Sequence, residues 1–586
     1  MQTASPRGPR AWLPSLLDFL PAAILAWLFW LRPDGWATLL NDGDTGWHIR
    51  TGEWIWQNRQ VPHQDLFSFT RPGENWYAWE WLADLIFAGI HHIGGLGLLC
   101  FFSATIIVLA YTQTLLLMSH WGASPLAILP AFLLAIGSST VHFLARPHIF
   151  TLLFFALSVR LLSLQLERPS RSLWWLVPMT MLWTNLHGGW PAIFTLLLPY
   201  VAYQAWHKGS VPHQELLVSV ACALATLVNP YGWALHSHVF GYLQSDWIKA
   251  SVDEFQSPVF RGESILQYEL LLLISVISVG MMAIKKRYFW LVAVWLLVWS
   301  HFSLSAVRHI PLFTLLAAPA ASVGISYLFG AAWERRSKTS VLGIFRALSE
   351  DLVPQFRQFS PWAVGLCILI GIASQTNWPH DFPASRFPVA FRSSMGEEIQ
   401  GRRIFTTDQW GDYWIYHSWP KSKVYMDGRS DFYGPELGRR ALSLAQADVG
   451  WQAELERWGI QYVLLPKGLP LAKALGDQHW ELLYQDELAV LWRSREWHAT
   501  LARPPQGKYP AKANGSPGID RIHRGEDPMA FCNQPSPSRH RNMPAAIASI
   551  NEGHTAVQSQ TNRLAVCQSF STGLAATRIL AFSAGE

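Results

Sequence analysis

Residues 97–118 read GLLCFFSATIIVLAYTQTLLLM, from Gly97 to Met118 without one Asp, Glu, Lys or Arg. A helix needs about 20 such residues to cross the hydrocarbon core of a bilayer. A chain inside that layer finds no water, so it must satisfy its own N–H and C=O groups, which a helix does. Outward from this segment, further apolar runs fall near 14–31, 124–140, 147–164, 173–188, 191–206, 215–229, 268–284, 288–303, 310–329 and 361–376. Together they predict an α-helical polytopic membrane protein with about eleven transmembrane helices. The stretch 80–93 is apolar but broken by Asp84, His91 and His92, and it reads as an interfacial helix leading into the run at 97.

Composition agrees. Half of the 586 residues are hydrophobic and only 15% are charged, against about a quarter in soluble proteins. Ionised groups at the centre of a bilayer cost several kcal/mol, so a lipid-facing surface sheds them. The 32 tryptophans suit the membrane–water interface, where the ring is buried and the N–H stays wet. A formal charge of +5 with no basic stripe argues against a nucleic-acid partner. None of the five cysteines has metal-ligand spacing. Arg7 and Arg10 precede the first apolar run as in a signal peptide, but no small-residue cleavage site follows, so the run reads as an uncleaved helix.

Orientation follows from the distribution of Lys and Arg. With the N-terminus inside, the cytoplasmic segments hold Arg7, Arg10, Arg168, Arg171, Lys208, Lys285, Lys286, Arg287, Arg335, Arg336, Lys338, Arg346 and Arg357. The short loops opposite hold only Arg146, Lys249, Arg261 and Arg308, while the long first outer loop (32–96) balances its arginines with carboxylates. The transmembrane part (1–376) is thus predicted N-in within a cytoplasmic (inner) membrane, and the region after about 377 outside.

Residues 377–500 change character. Arg403-Ile-Phe-Thr, Lys423-Val-Tyr-Met and Ile460-Gln-Tyr-Val-Leu-Leu read as strands, 435–448 and 450–458 as helices, and 480–485 with 488–493 as a hairpin about Asp486-Glu487. This alternation predicts a small extracytoplasmic α/β domain. Residues 501–586 are rich in Pro, Gly, Ser, Asn and Arg without periodicity, a composition that cannot bury a core and predicts a disordered tail.

Under this topology the unusual polar residues collect at one face. They are Asp42-Gly-Asp44-Thr-Gly-Trp-His48, Arg146-Pro-His148, Asn185-Leu-His187-Gly-Gly-Trp190, Asn229-Pro-Tyr-Gly232, Asp253-Glu254 and Arg308-His309. A single His or Arg at a helix end is more often an interfacial anchor than a catalyst. Six clusters at one end point instead to a site. The residue types suit attack at a phosphate-linked carbon. Asp42 or Asp44 would take a proton from an incoming hydroxyl. Arg146, Arg308 and His309 would hold a phosphate or pyrophosphate, since the guanidinium fork matches phosphate oxygens. His48, His148, His187 and Glu254 complete the polar set for substrate binding. The Asp-x-Asp pair also suits a divalent cation such as Mg or Mn. The plainer reading of the pair is a turn, with Asp44 capping a helix over 45–58.

The strings Asp42-Gly-Asp-Thr-Gly-Trp-His-Ile-Arg-Thr-Gly-Glu-Trp-Ile, Val61-Pro-His-Gln-Asp-Leu-Phe-Ser-Phe-Thr and Trp79-Glu-Trp-Leu resemble the first outer loop of bacterial membrane proteins with the GT-C glycosyltransferase fold. These are distant relatives of the protein O-mannosyltransferases and the lipid A aminoarabinose transferases. Arg146-Pro-His, Asn185-Leu-His-Gly-Gly, Arg308-His-Ile-Pro, Trp410-Gly-Asp-Tyr and Asp427-Gly-Arg-Ser-Asp-Phe-Tyr-Gly are similar to the same group, over roughly residues 10–495. The resemblance implies an enzyme that moves sugar from a polyprenyl-phosphate donor to a glycan, lipid or protein acceptor outside the membrane. It implies that Asp42 or Asp44 serves as base or metal ligand, with Asp253-Glu254 as a source of a second acid. In the last string, Asp427-Gly reads as a tight turn with Arg429 paired to Asp427 or Asp431. Trp410 and Tyr413 suit either sugar stacking or a core. Two other functions fit the composition: a transporter or lipid flippase, and a non-catalytic scaffold for surface-polysaccharide assembly.

Overall fold

Proline and glycine punctuate the helices. A computed structural model describes residues 14–495 except 263–264, 285–288, 334–336, 338, 357–359 and 479. The expectations for Arg7, Arg10, Lys285, Lys286, Arg287, Arg335, Arg336, Lys338, Arg357 and the tail 501–586 fall outside the described residues. Helix α1 (Leu16–Leu25) continues into one wider turn, and α2 (Thr45–Asn58) lies in the first loop. Next come α3 (Trp81–His120), α4 (Pro125–Ser139), α5 (His148–Glu167), α6 (Leu176–Leu186), α7 (Ala192–Lys208) and α8 (His213–Ala225). Proline stands at or just before the first residue of α4, α5, α7 and α8, where its missing N–H costs nothing. After α9 (Trp233–Gln244) and α10 (Asp246–Ser251) follow α11 (Leu266–Ile284), α12 (Phe289–Ser305), α13 (Ile310–Trp333), α14 (Val341–Leu352) and α15 (Trp362–Ala373).

A helix runs through each apolar segment of the sequence. Among the described residues, five helices are long and apolar enough to cross a membrane: Trp81–His120, Pro125–His142, His148–Glu167, Leu266–Ala283 and Val307–Ala332. Helices α1, α8, α12 and α15 are apolar but shorter. Leu217, Val276 and Leu297 are among the large apolar side chains left exposed on these helices, as lipid contact requires. The chain is a multi-pass membrane protein. The stretch 80–93 and the run at 97 are two limbs of α3, which bends where Gly94 and Gly95 leave helical geometry. Gly95 has φ +63°, a conformation that side-chain-bearing residues rarely adopt.

Residues 389–494 build a four-stranded sheet flanked by short helices. The strands are β1 (Ile404–Phe405), β2 (Tyr462–Pro466), β3 (Trp480–Gln485) and β4 (Ala489–Ser494), in the order β1-β2-β4-β3. β1 pairs parallel to β2, and the other pairings are antiparallel. The hairpin at Asp486-Glu487 is present. Lys423-Val-Tyr-Met is not a strand. Val424 makes only isolated bridges to Ser68 and Ile404, because its N–H and C=O are taken by Phe67 and Phe69 of the first loop. The helices are α16 (Val389–Met395), α17 (Asp408–Ser418), α18 (Ser430–Ala445), α19 (Trp451–Arg457) and α20 (Pro470–Gly476).

The first loop is held between the helices and this sheet. A Cβ added at Gly52 would collide with the carbonyl of Asp84 on α3, and one at Gly46 would stand 2.7 Å from the carbonyl of Asp412 on α17. Helix α2 can therefore lie flat between α3 and α17 only because these positions lack side chains. The closing contact is Arg429. Its Nη2 donates to Asp65 of the first loop and to Asp427, at 2.7 Å each, and its guanidinium packs on Phe67, Trp76 and Phe432. Asp431 is not its partner but pairs with His238. Trp410 and Tyr413 are core residues, 3% and 0% exposed, so neither offers a face to a sugar.

Removing one member of a buried ion cluster strands the others, at about 3–5 kcal/mol. Arg429→Ala leaves Asp65 and Asp427 buried without their cation. The purified variant in detergent is expected to unfold at a clearly lower temperature than wild type; an unchanged midpoint would show that the clamp contributes nothing.

Candidate active site

The ends of the apolar helices supply the polar residues. Glu80 precedes α3, Arg146 and His148 stand at the start of α5, and His187 follows α6. Glu254 lies in a short turn (Asp253–Phe255), and Arg308 in another (Val307–His309) just before α13. His142 closes the turn after α4. Together with Pro147 these residues line one polar cavity of about 10 Å³, room for roughly a single water.

Arg146 is its hub. Nη1 lies 2.7 Å from Asp42 Oδ2, Nη2 lies 2.7 Å from Asp44 Oδ2, and Nη1 is 3.6 Å from Glu254 Oε2. Arg308 reaches the same glutamate at 3.1 Å from Oε1 and packs over Phe255. That contact is not aligned as a hydrogen bond, so Arg308 Nη1 keeps a buried donor without an acceptor. Burial alone would raise the Glu254 carboxyl, but Arg308 and Arg146 overcome it and hold the group well below the usual range. Glu254 thus stays ionised between two guanidinium groups.

A second chain of bonds runs through the histidines. His48 Nδ1 lies 2.6 Å from Asp84 Oδ1 and its Nε2 is 3.6 Å from Glu80 Oε2. His187 Nε2 approaches the other Glu80 oxygen at 3.4 Å, and its Nδ1 meets Thr151 Oγ1 at 2.7 Å. Burial, then the charge of Arg146, pushes the His48 imidazole well below its ordinary value, so the ring is neutral. Burial pushes the Glu80 carboxyl up to about 8, against the pull of Arg146.

Asp44 does not cap α2. Its backbone is already helical (φ −50°, ψ −32°), its side chain makes no cap bond, and Oδ2 is turned to Arg146. Burial pushes its carboxyl up to about 7; Arg146 opposes this, while Asp42 and Glu254 add to it. Asp42 uses both oxygens, Oδ1 accepting from the N–H of Asp44 at 3.0 Å and Oδ2 facing Arg146. The Asp-x-Asp pair is gathered about the guanidinium of Arg146. Among the described residues no group of three or more His, Cys, Asp or Glu is arranged to hold a metal ion.

Of the residues singled out in the sequence, Arg146, His148, His187, Glu254 and Arg308 line the cavity, and Asp42, Asp44 and His48 stand one contact behind it. His309 does not line the cavity. Its Nδ1 faces the carbonyl of Phe302 at 3.1 Å, and its ring lies beside Trp299 and Phe302. Glu80 and His142 are site residues that the sequence did not single out. Glu80 is marked there only by Trp79-Glu-Trp, and His142 sits in Thr-Val-His-Phe, a string that gives no signal of its own.

No protein-family model matches the chain, and no curated protein matches it in sequence. Solved structures do match. The oligosaccharyltransferase AglB of Archaeoglobus fulgidus, in complex with an inhibitory peptide and a dolichol-phosphate, aligns over 82% of this chain and 74% of its own at 13% identity, with TM-score 0.51. ArnT of Cupriavidus metallidurans bound to undecaprenyl phosphate aligns over 83% and 99% at 14% identity, with TM-score 0.47. The likeness to the archaeal enzyme is one of fold, and that fold is the GT-C fold of membrane glycosyltransferases.

With a folded-state value near 8 and an ordinary value near 4.5, Glu80 keeps its proton in the folded protein where the unfolded chain has lost it. Its contribution to stability therefore falls as pH rises from about 5 to about 8 and then levels. Glu80→Gln carries a permanently neutral group and escapes that loss. The melting midpoint of the variant is expected to gain on wild type between pH 5 and pH 8; parallel pH profiles would refute a protonated Glu80.

Proposed function

From the GT-C fold, we propose that this chain is a membrane glycosyltransferase that moves a sugar from a polyprenyl-phosphate donor to an acceptor hydroxyl. The observation that carries this reading is the pairing of two guanidinium groups with poised carboxylates in one cavity at the ends of apolar helices. A lipid-linked donor presents an anionic phosphate at the edge of the hydrocarbon layer, where such helices end. Its likeness in fold to a protein solved with dolichol-phosphate supports the same donor class.

The chemistry follows from the contacts. The phosphate enters between Arg146 and Arg308, and the unaligned donor of Arg308 has an acceptor at last. As the phosphate draws Arg146 away, Asp44 Oδ2 is released. It accepts the proton of the acceptor hydroxyl while that oxygen bonds to the sugar carbon. The bond from that carbon to the phosphate oxygen breaks, and the phosphate leaves with the electron pair, held by both arginines. Asp44 suits the base role better than Asp42, whose two oxygens are both committed. His148, His187 and Glu80 bind the sugar hydroxyls from the wall of the cavity. We place the N-terminus in the cytoplasm, about eleven apolar helices across the inner membrane and the sheet outside, from the bias of Lys and Arg in the sequence.

Proteoliposomes with a polyprenyl-phosphate sugar and a membrane acceptor fraction test this. Asp44→Ala is expected to lower kcat/KM by about 100-fold or more, the usual worth of a general base. Because the Asp44 carboxyl titrates near 7 and must be ionised to take a proton, wild-type kcat/KM falls as pH drops through about 7. Wild-type rates in Asp44→Ala, or a flat profile from pH 6 to 8, would remove Asp44 from the reaction.

A further inference from the structure

Two buried carboxyl oxygens beside the site lack a hydrogen-bond donor. Asp44 gives Oδ2 to Arg146, but its Oδ1 has no partner. Asp412, on α17, accepts the N–H of Gly428 on Oδ1 at 2.9 Å, and its Oδ2 has no partner either. The two residues are 6% and 0% exposed, so both oxygens are shielded from bulk solvent. The orphan oxygens are neighbours. A Cβ added at Gly428 would collide with Asp44 Oδ1 and stand 2.9 Å from Asp412 Oδ2. The two carboxyl groups are within hydrogen-bonding reach of each other.

Two ionised carboxylates cannot share so dry a space. A single proton between them converts two unsatisfied acceptors into one donor and one acceptor. The proton belongs on Asp412. Asp44 has Arg146 to stabilise its charge, whereas Asp412 faces Asp44, Asp427 and Asp408 with only the Gly428 N–H to help, and burial raises it first of all.

We propose that Asp412 is a positioning residue for Asp44: its protonated carboxyl donates to Asp44 Oδ1 and fixes the carboxylate with Oδ2 turned toward Arg146. The proposal rests on the transferase reading only for what Asp44 goes on to do. It explains two strings in the C-terminal part together. Trp410-Gly-Asp-Tyr brings the donor, and Asp427-Gly-Arg brings the N–H that orients it, with no side chain at Gly428 to collide with Asp44. The sheet-bearing layer thereby completes a site whose other members come from the helix ends.

Four samples of the full-length protein in proteoliposomes test this: wild type, Asp412→Asn, Asp412→Ala and Gly428→Ala. Asparagine keeps the acceptor for Gly428 and offers an amide N–H to Asp44 Oδ1, so kcat is expected to stay within about threefold of wild type. Alanine leaves Asp44 free to turn, and misplacing a reacting group by about 1 Å costs up to roughly 100-fold, so kcat is expected to fall by about 10- to 100-fold with the donor KM unchanged. Gly428→Ala keeps both aspartates but drives a methyl group against them, and is expected to lose kcat as Asp412→Ala does. Equal kcat in Asp412→Ala and wild type, or equal losses in Asp412→Asn and Asp412→Ala, would overturn the proposal. An infrared difference spectrum of wild type against Asp412→Asn at neutral pH needs no turnover. Loss of one protonated-carboxyl C=O band supports the shared proton, and its absence refutes it. A wild-type protein that transfers no sugar yet shows that band would fail the transferase reading and leave the pair standing.

Discussion

The guanidinium of Arg146 must be neutralised where it is buried, and the site is built to meet that demand. Its three carboxylate partners come from two separate parts of the chain, the first loop (Asp42, Asp44) and the turn before α11 (Glu254). A buried charge without partners costs more than any single contact returns, so none of these segments can leave without stranding the others. Glu254 then carries the network to Arg308 at the head of α13. The cavity is the small space left where these charges meet the histidines.

A second buried cation does for the loop what Arg146 does for the helix ends. Arg429 ties Asp65 of the first loop to Asp427 beside the sheet, inside a cage of aromatic rings. Its neighbour Gly428 faces Asp44 and Asp412. One short turn, Asp427-Gly-Arg, therefore supports both the seating of the loop and the setting of the proposed base. This is why the sheet-bearing layer packs with the helices in one compact unit. It also accounts for glycines at 46 and 52: α2 lies between two surfaces that each come within contact of its backbone.

Much of the helical framework is legible in the amino-acid sequence. Runs such as 97–118 permit only one way to satisfy their backbone, and the prolines ahead of α4, α5 and α7 mark their starts. The hairpin at 480–493 is equally plain, since alternation and Asp-Glu at its tip are local signals. Lys423-Val-Tyr-Met misleads because its pattern is that of a strand, while its hydrogen bonds go to Phe67 and Phe69, more than 350 residues earlier. Asp44 misleads for a similar reason. An aspartate ahead of a helix is a cap by local rules, whereas here the backbone is already helical and one carboxylate oxygen faces a distant arginine.

What the sequence determined alone is the solvent. Long uncharged runs need lipid, and ionisable residues are driven from them to the helix ends, so Arg146, His148, His187, Glu254 and Arg308 could be picked out as one set. What only the tertiary structure decided is partnership. Periodicity and hydropathy act over a few residues and report on the medium around a side chain; a charge pairs with whatever the fold carries to within 3 or 4 Å. Glu80 between His48 and His187, His309 turned away toward Phe302, and Asp412 facing Asp44 across 368 residues of chain are all matters of that second kind.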